Sequence, residues 1–195
     1  KAMAVNLSDL AAMGNVQPLV ALCTIGFRGD ISVDTVDNIY SGISKLTHLF
    51  GFSVVGGDII RSYKSLLSIT VVGKLYSQSS ILRSGAKNGN ILMATGPLGL
   101  SSAGLEILKT SCKPFDFQAK SLLKSHLNPI PKIHEGKILS NGATLATSMI
   151  DTSDDLMTSL DILSKESQVG FEIDMASIPI HPALEHYSKK RGRSP

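Results

Sequence analysis

The stretch Val5–Pro18 (VNLSDLAAMGNVQP) most constrains how this chain can fold. Asn6, Asp9 and Met13 stand at i, i+3 and i+7, so on a helix they share one face. Gly14 follows and favours a helix end, because glycine adopts the left-handed conformation after a helix at little cost. Two interpretations of the polar face stay open at this point. It is either a buried, hydrogen-bonded cap network or a set of metal ligands that needs further carboxylates elsewhere in the chain.

Carboxylates follow two other apolar segments of the chain. Asp58 ends the segment FSVVGGD, and the segment ATLATSMIDTSDD carries Asp151, Asp154 and Asp155. We expect these acids to lie where buried strands end, which is where α/β folds place their chemistry. Their hard oxygen ligands suit Mg²⁺ rather than zinc or copper. For Asp154, which precedes a predicted helix, an N-cap is the alternative interpretation.

Hydrophobic periodicity predicts interleaved helices and strands, and therefore an α+β fold. The first helix is expected over residues 2–13, and the second begins at Ser32 or Asp34 and ends at Gly51. Further helices are expected over residues 102–109, 117–127, 133–139 and 154–167. Strands are expected over residues 19–27, 53–55, 66–76, 91–95, 144–150 and 171–175.

A change of composition at residues 83–90 (RSGAKNGN) predicts a domain boundary. We expect an N-terminal domain over residues 1–83 and a C-terminal α/β domain over residues 84–195. The loop GPLG at residues 96–99 opens a helix and can hold phosphate on backbone N–H groups. It is neither a Walker A loop nor a dinucleotide-binding fingerprint, so alone it is a weak signal.

Composition argues against several classes of protein and site. The net charge is +3 at pH 7, and the basic run KKRGR at residues 189–193 has no interleaved aromatic residue, so we expect no nucleic-acid partner. No apolar run approaches the roughly 20 residues that a membrane helix needs. Cys23 and Cys112 lie far apart and indicate free thiols in a reducing, cytoplasmic compartment. The five histidines lack metal-ligand spacing, and we expect no catalytic residue beyond metal and nucleotide ligands.

Four motifs in order resemble the thiamine-monophosphate kinase family, within the ATP-binding aminoimidazole-ribotide-synthetase-like superfamily. They are VNLSDLAAMG, VVGGD, RSGAKNGN and MIDTSDDL, and the segments HLNPIPK and EIDMASIP extend the match over nearly the whole chain. The DxSD element from Asp151 to Asp154 is similar to this family rather than to its relatives. The resemblance implies ATP-dependent transfer of a phosphoryl group to thiamine monophosphate, which yields thiamine diphosphate.

The resemblance also implies roles for particular residues. Mg²⁺ is expected as the metal, and the implied metal ligands are Asp9, Asp58, Asp151 and Asp154. ATP is expected as the co-substrate, and the implied nucleotide contacts are Gly57, Asp58, Arg83 and Ser153. The family further implies a two-domain synthetase-like fold and a homodimer, in which the mixed sheets of the two N-terminal domains close into a shared barrel.

The chain departs from the family pattern at several positions. Asp155 stands where the family usually has Gly, Ile59 replaces Thr, and Asn88 and Asn90 replace Pro and Asp. Because the chain begins at Lys1, we expect an internal fragment in which both domains are incomplete and which is inactive alone. Two alternatives stay open. One is an ATP-dependent synthetase of the same superfamily with another small substrate, and the other is a degenerate nucleotide-binding or dimerising protein, which Asp155 supports.

Overall fold

A computed structural model describes residues 1–76, 80–110, 117–141 and 145–194. Its elements in chain order are α1 (Ala2–Ala12), β1 (Val16–Phe27), α2 (Val33–Phe50), β2 (Ser53–Arg61), β3 (Leu66–Leu75), α3 (Leu100–Lys109), α4 (Phe117–Leu127), α5 (Ile133–Ser140), α6 (Leu156–Ser167), a short 3-10 helix (Met175–Ser177) and α7 (Pro182–Lys190). None of these helices is both long and apolar enough to span a membrane.

The chain divides into two compact units. The sheet unit comprises residues 2–82 and 131–151, and the helical unit comprises Lys1 with residues 83–130 and 152–195. Residues 131–151 thus belong with the first part of the chain, because α5 packs on α1 so closely that a Cβ at Gly136 would overlap the carbonyl group of Ala11. The domain bounds 1–83 and 84–195 stay a prediction.

The sheet unit is built on a three-stranded mixed sheet in the order β2-β1-β3. Strand β1 lies in the centre, parallel to β2 and antiparallel to β3, so the mixed sheet expected from the sequence is confirmed. Helices α1 and α2 pack against one of its faces. The buried core there consists of Met3, Leu7, Ala21, Cys23, Ile25, Phe27, Ile43, Phe52 and Ile69.

The ends of α2 follow the signals in the sequence. Ser32 is the N-cap, and its Oγ accepts a hydrogen bond of 3.3 Å from the backbone N–H of Thr35. At the other end Gly51 adopts φ 70° and its N–H donates to the carbonyl of Thr47. A residue with a Cβ adopts that left-handed conformation at a cost, so glycine favours the helix end at this position.

Strand β2 differs from the expected strand in length and in burial. It runs from Ser53 to Arg61, and eight of its nine residues are exposed because it lies at the edge of the sheet. Asp58 lies inside this strand and does not follow a buried one. The expectation that Asp58 marks the end of a buried strand is therefore wrong.

The helical unit packs α3, α4 and α7 together. Its core consists of Ala103, Ile107, Leu122, Ala183 and Leu184. A Cβ at Gly104 would overlap the carbonyl of Leu122, so a glycine allows α3 and α4 to approach closely.

Three strands expected in the second half of the chain are wrong. Residues 91–95 and 171–174 have no regular structure, and neither do 145–150, whereas residue 144 lies outside the described residues. The segment 91–95 buries little, since Ile91 is 86% exposed and Met93 74% exposed. An apolar run forms a strand only where another strand completes its hydrogen-bonded ladder. In the described part of the helical unit, strand pairing is limited to one isolated parallel bridge between Leu98 and Ile180, so the α/β architecture expected there is not observed.

Candidate functional site

Asp58 offers an exposed carboxylate on β2, where it pairs with Thr24 of β1. One of its oxygens, Oδ1, accepts a hydrogen bond of 2.8 Å from the backbone N–H of Ile59. This bond restricts the rotation of the side chain while leaving it accessible from solvent. A carboxylate in this position can supply a hard oxygen ligand to a divalent cation.

The ladder also shows on which face of the sheet Asp58 lies. Side chains alternate between the two faces of a strand, and paired residues share a face. Cys23 faces α1 and α2, so its neighbour Thr24 and the partner Asp58 belong to the opposite face, which we call the outer face. The outer face carries four large apolar side chains that are 41–49% exposed, namely Leu22, Ile60, Leu66 and Val72. Among the described residues that pair with residues 20–26 of β1, Asp58 is the one charged residue on this face.

Gly57 has a structural reason to be glycine. Its φ is 150°, and a Cβ there would overlap the carbonyl oxygen of Cys23 on the neighbouring strand. Any other residue would therefore push β2 away from β1. Tight strand packing alone accounts for this glycine, and the nucleotide contact implied by the family resemblance remains a separate hypothesis.

A cavity of about 320 Å³ lies beside the two glycines of β2. Its lining residues are Cys23, Tyr40, Val54, Gly56, Gly57, Asp58 and Ile59. The sequence pattern does not indicate that Asp58 shares this cavity with Cys23, Tyr40, Val54, Gly56 and Ile59. The dipeptide of Gly56 and Gly57 was the available signal, since two residues without side chains leave space beside a strand.

Two side chains of the cavity, Cys23 and Tyr40, lie close enough to shift each other's pKa. Burial raises the pKa of the Cys23 thiol, and the neighbouring Tyr40 opposes this only in part. Burial and the neighbouring Cys23 raise the pKa of Tyr40 as well. Both groups are therefore neutral at pH 7, and the Asp58 carboxylate lies on the other face of the sheet from them.

Asp9 lies on α1 and is exposed, so the buried cap network considered for its helix face does not describe it. Its neighbour on that face, Asn6, donates through Nδ2 to the carbonyl of Ala2 at 2.9 Å, which is a bond within the helix. Met13, the third member of the face, is 42% exposed. Asp9 is thus accessible to a ligand from solvent.

The DxSD element lies in the irregular segment before α6. Asp151 is half-buried and ends the part of the chain that belongs to the sheet unit. Ser153 and Asp154 are exposed and belong to the helical unit. Arg83 is also exposed in the helical unit, and its carbonyl accepts a hydrogen bond of 3.1 Å from Ser167 Oγ.

Asp155, and not Asp154, is the N-cap of α6. Its Oδ1 accepts from the backbone N–H of Thr158 at 2.8 Å, and its Oδ2 accepts from the Thr158 hydroxyl at 2.9 Å. These bonds lower the pKa of the Asp155 carboxyl. The N-cap interpretation of Asp154 is therefore wrong. The carboxylate of Asp155 is instead hydrogen-bonded to the first turn of α6.

The donor chemistry of these acids fits magnesium. In the part of the chain that the structure describes, no three His, Cys, Asp or Glu residues form a group that could hold a metal. Mg²⁺ does not require such a cage, because it keeps several waters and is bound by one or two carboxylates together with substrate phosphates. Exposed, separated aspartates are compatible with that mode of binding.

Comparison with known proteins shows what this chain is similar to. Residues 1–75 match the family model described as AIR synthase related protein, N-terminal domain. A thiamine-monophosphate kinase from Buchnera aphidicola (Acyrthosiphon pisum, strain APS) is 36% identical over 190 residues, which are 94% of this chain and 55% of that protein. The enzyme of the same name from Aquifex aeolicus is 32% identical over 198 residues, 100% of this chain and 62% of that protein. The resemblance to the thiamine-monophosphate kinase family is confirmed.

Solved structures agree with the family and with the fold. The structure of AaThiL complexed with AMPPCP and TMP has a TM-score of 0.90 and 30% identity, and the match covers 99% of this chain and 60% of that one. A thiamine-monophosphate kinase from Stenotrophomonas maltophilia K279a has a TM-score of 0.85 and 27% identity over 94% of this chain and 58% of that one. The Escherichia coli hydrogenase maturation protein HypE, at 14% identity and a TM-score of 0.78, shares the fold alone.

The chain spans only 55–62% of the length of these curated relatives. Activities and ligands named for the family therefore describe proteins longer than this chain.

Proposed function

We propose that this chain is part of an enzyme that phosphorylates thiamine monophosphate to thiamine diphosphate with ATP in the cytoplasm. The observation that carries the proposal is the similarity to thiamine-monophosphate kinases, at 31–36% identity, along 94–100% of the chain. The matched part of the chain includes the motifs that carry Asp9, Asp58 and Asp154. All three side chains are exposed to solvent.

Asp9 and Asp58 are the proposed ligands of Mg²⁺ in the sheet unit, and Asp151 and Asp154 add ligands from the DxSD element. The cation, when bound, neutralises charge on the phosphates of ATP and orients them for transfer. Asp58 is suited to this role because the N–H of Ile59 fixes one carboxylate oxygen and solvent reaches the side chain.

Gly57, Asp58, Arg83 and Ser153 are the proposed contacts to the nucleotide. Arg83 and Ser153 are exposed, and a guanidinium and a hydroxyl group are donors that suit phosphate oxygens. Gly57 borders the cavity and presents backbone without a side chain there. Phosphoryl transfer depends mainly on positioning and charge neutralisation, so these groups are sufficient without a strong protein base.

A homodimer through the outer face is part of the proposal. Leu22, Ile60, Leu66 and Val72 form an exposed apolar surface on the sheet, of the kind that marks an interaction site. Two copies can bury this surface against each other about a two-fold axis, because a mainly apolar patch can be complementary to itself. The same face also carries the exposed Lys74, two residues after Val72 on β3. The closure of the two sheets into a barrel belongs to the same proposal.

The test is an assay of the full-length protein with ATP, Mg²⁺ and thiamine monophosphate, in which thiamine diphosphate is followed by chromatography. We expect product from the wild type, and at least about a hundredfold less from Asp154→Asn, since removing a group that stabilises transferred charge commonly costs that much. Asp161→Asn is the matched control, because Asp161 is exposed on α6 and pairs with Lys165.

Lack of product in the wild type with ATP still bound contradicts the kinase proposal. A panel of other small acceptor substrates then distinguishes the two alternatives. The synthetase alternative predicts turnover of another acceptor, whereas a degenerate protein turns over none.

A further inference from the structure

The hydroxyl group of Ser167 joins two segments of the helical unit that lie far apart in the sequence. Its Oγ donates a hydrogen bond of 3.1 Å to the carbonyl of Arg83 and accepts one of 3.1 Å from the backbone N–H of Ala86. The helical serines Ser140 and Ser159 instead donate to carbonyls of their own helices or caps. Ser167 therefore uses its hydroxyl for a tertiary contact, although a bond to the local backbone is the common choice.

These two bonds fix the backbone of residues 83–86 (RSGA). Arg83 and Ala86 stand at i and i+3, the positions whose carbonyl and N–H a closed β-turn joins directly. Here the Ser167 hydroxyl lies between those two groups and replaces the direct bond. Gly85, at i+2, adopts φ 118°, a conformation that strains a residue with a side chain. A residue 81 positions beyond Ala86 thus shapes this segment.

The C-terminal end of α6 holds Ser167 in place. Gln168 follows it with φ 55° and is the one non-glycine residue with positive φ in the described part of the chain. The N–H groups of Gln168 and Val169 both donate to the carbonyl of Ser164, and Ser164 Oγ donates to the carbonyl of Val169 at 2.6 Å. A left-handed conformation costs free energy in a residue with a Cβ, so the surrounding bonds maintain this helix end.

Arg83 is the residue whose position this arrangement controls. Ser167 holds its carbonyl, whereas Arg83 is exposed to solvent. A long side chain on an unrestrained loop loses conformational freedom when it binds a ligand, and a fixed backbone reduces that loss. The guanidinium of Arg83 is therefore better prepared to bind phosphate oxygens than it would be on an unrestrained loop.

We propose that Ser167 is a positioning residue for Arg83, because it holds the RSGA segment in the conformation from which the guanidinium reaches the nucleotide. The inference rests on the nucleotide contact of Arg83 in the proposed function, and it adds the residue that supports this contact from α6. Ser167 acts through the backbone of Arg83 and does not itself bind ATP.

The test measures the Kd of Mg·ATP for the full-length protein by isothermal titration calorimetry, which requires no turnover. We expect Arg83→Ala to raise this Kd at least about tenfold, because a charge-assisted hydrogen bond is lost. Ser167→Ala should raise it about fivefold, in keeping with the usual contribution of one hydrogen bond. Ser167→Thr keeps a hydroxyl and should bind nearly as the wild type does. In the Arg83→Ala background, Ser167→Ala should change the Kd less than about twofold, since both residues act on one contact.

Ser164→Ala is the matched control. Ser164 is also half-buried near the end of α6, but its hydroxyl binds the carbonyl of Val169 and not the RSGA segment. This variant should lower the Tm as Ser167→Ala does and leave the Kd unchanged. Amide hydrogen exchange gives a second readout that is independent of ATP. We expect the Ala86 amide to exchange at least about fivefold faster in Ser167→Ala and at the wild-type rate in Ser164→Ala.

The inference is overturned if Arg83→Ala or Ser167→Ala leaves the Kd unchanged, or if Ser167→Ala raises it equally with and without the Arg83 side chain. It is also overturned if Ser164→Ala raises the Kd as much, or if the wild type does not bind ATP. A thiamine diphosphate assay on the same samples separates this failure from that of the proposed function. ATP binding without product contradicts only the kinase activity, whereas product formation with a Kd unaffected by Ser167→Ala contradicts only the positioning role.

Discussion

At the scale of single residues, backbone geometry and ligand chemistry constrain neighbouring positions of β2. Gly57 adopts φ 150° against the backbone of Cys23, whereas the adjacent Asp58 exposes its carboxylate. The glycine lets β2 pair closely with β1, and this pairing fixes the face on which Asp58 lies. Packing and the proposed function therefore depend on each other at this point of the strand.

Replacement of this glycine tests that dependence. We expect Gly57→Ala to lower the free energy of unfolding by at least about 2 kcal/mol, because the new Cβ meets the Cys23 carbonyl and a positive φ strains any other residue. The measurement is urea denaturation. Gly42→Ala is the control, since Gly42 is on α2 with no atom within 4 Å of a new Cβ. That change should stabilise the helix by up to about 1 kcal/mol. Equal effects of the two substitutions would contradict the packing argument.

The motifs indicate which residues to propose for the candidate site, but they do not show the surroundings of each residue. The sequence indicated Asp9 and Asp58 as acids in special contexts, and both are exposed as a ligand should be. It could not show that Cys23 and Tyr40 border the same cavity as Asp58, because strand register and the crossing of α2 over the sheet bring them together. Neither relation is a local property of the chain.

At the scale of secondary-structure elements, Asp155 has its effect through α6. Its two oxygens bind the N–H and the hydroxyl of Thr158, which caps the first turn of the helix. The carboxylate of Asp155 is therefore directed at the first turn of α6 and has a structural role of its own.

Removal of this cap should lower the thermal stability of the protein, and the size of the loss should depend on pH. We expect Asp155→Ala to lower the Tm at pH 7, and Asp155→Gly to lower it less, because glycine is an acceptable N-cap. The folded pKa of Asp155 is lowered from the ordinary value of 3.8, so its stabilisation is present above pH 3.8 and is lost as the pH falls through the lowered value. The difference in Tm between wild type and Asp155→Ala should therefore shrink in acid.

The check is thermal denaturation by circular dichroism between pH 7 and pH 2.5. Asp154→Ala is the control, because Asp154 is a neighbouring exposed acid that does not cap the helix. A Tm difference for Asp155→Ala that is constant over this range would mean that the carboxylate charge does not contribute to the cap.

Helices were predicted more accurately than strands, for a physical reason. The helix over Phe117–Leu127 has the expected bounds, and the caps of α2 at Ser32 and Gly51 were readable because helix signals lie within one segment. A strand depends on partners elsewhere in the chain. Residues 91–95 and 171–175 resembled strands by composition alone, whereas β2 extends well beyond its expected end at residue 55 because β1 offers a ladder as far as Arg61.

At the scale of the whole molecule, the chain corresponds to slightly more than half of its curated relatives. The proposed ligands are divided between the sheet unit, with Asp9, Asp58 and Asp151, and the helical unit, with Asp154. A nucleotide that binds through any of these ligands should stabilise the unit that holds it, because any ligand that binds only the folded state shifts the unfolding equilibrium.

This consequence distinguishes a ligand role of Asp58 from a structural role. In the full-length wild type we expect Mg·ATP at about 100 times its Kd to stabilise the fold by about 2.7 kcal/mol. Asp58→Asn should lose most of this gain, while its stability without ligand stays within about 0.5 kcal/mol of wild type, as is usual for an exposed substitution. The measurement is chemical denaturation with and without Mg·ATP, with Asp37→Asn on α2 as the control. Comparable losses with and without ligand would instead assign Asp58 to the packing of β2, because an acid that only supports the strand contributes equally to both states.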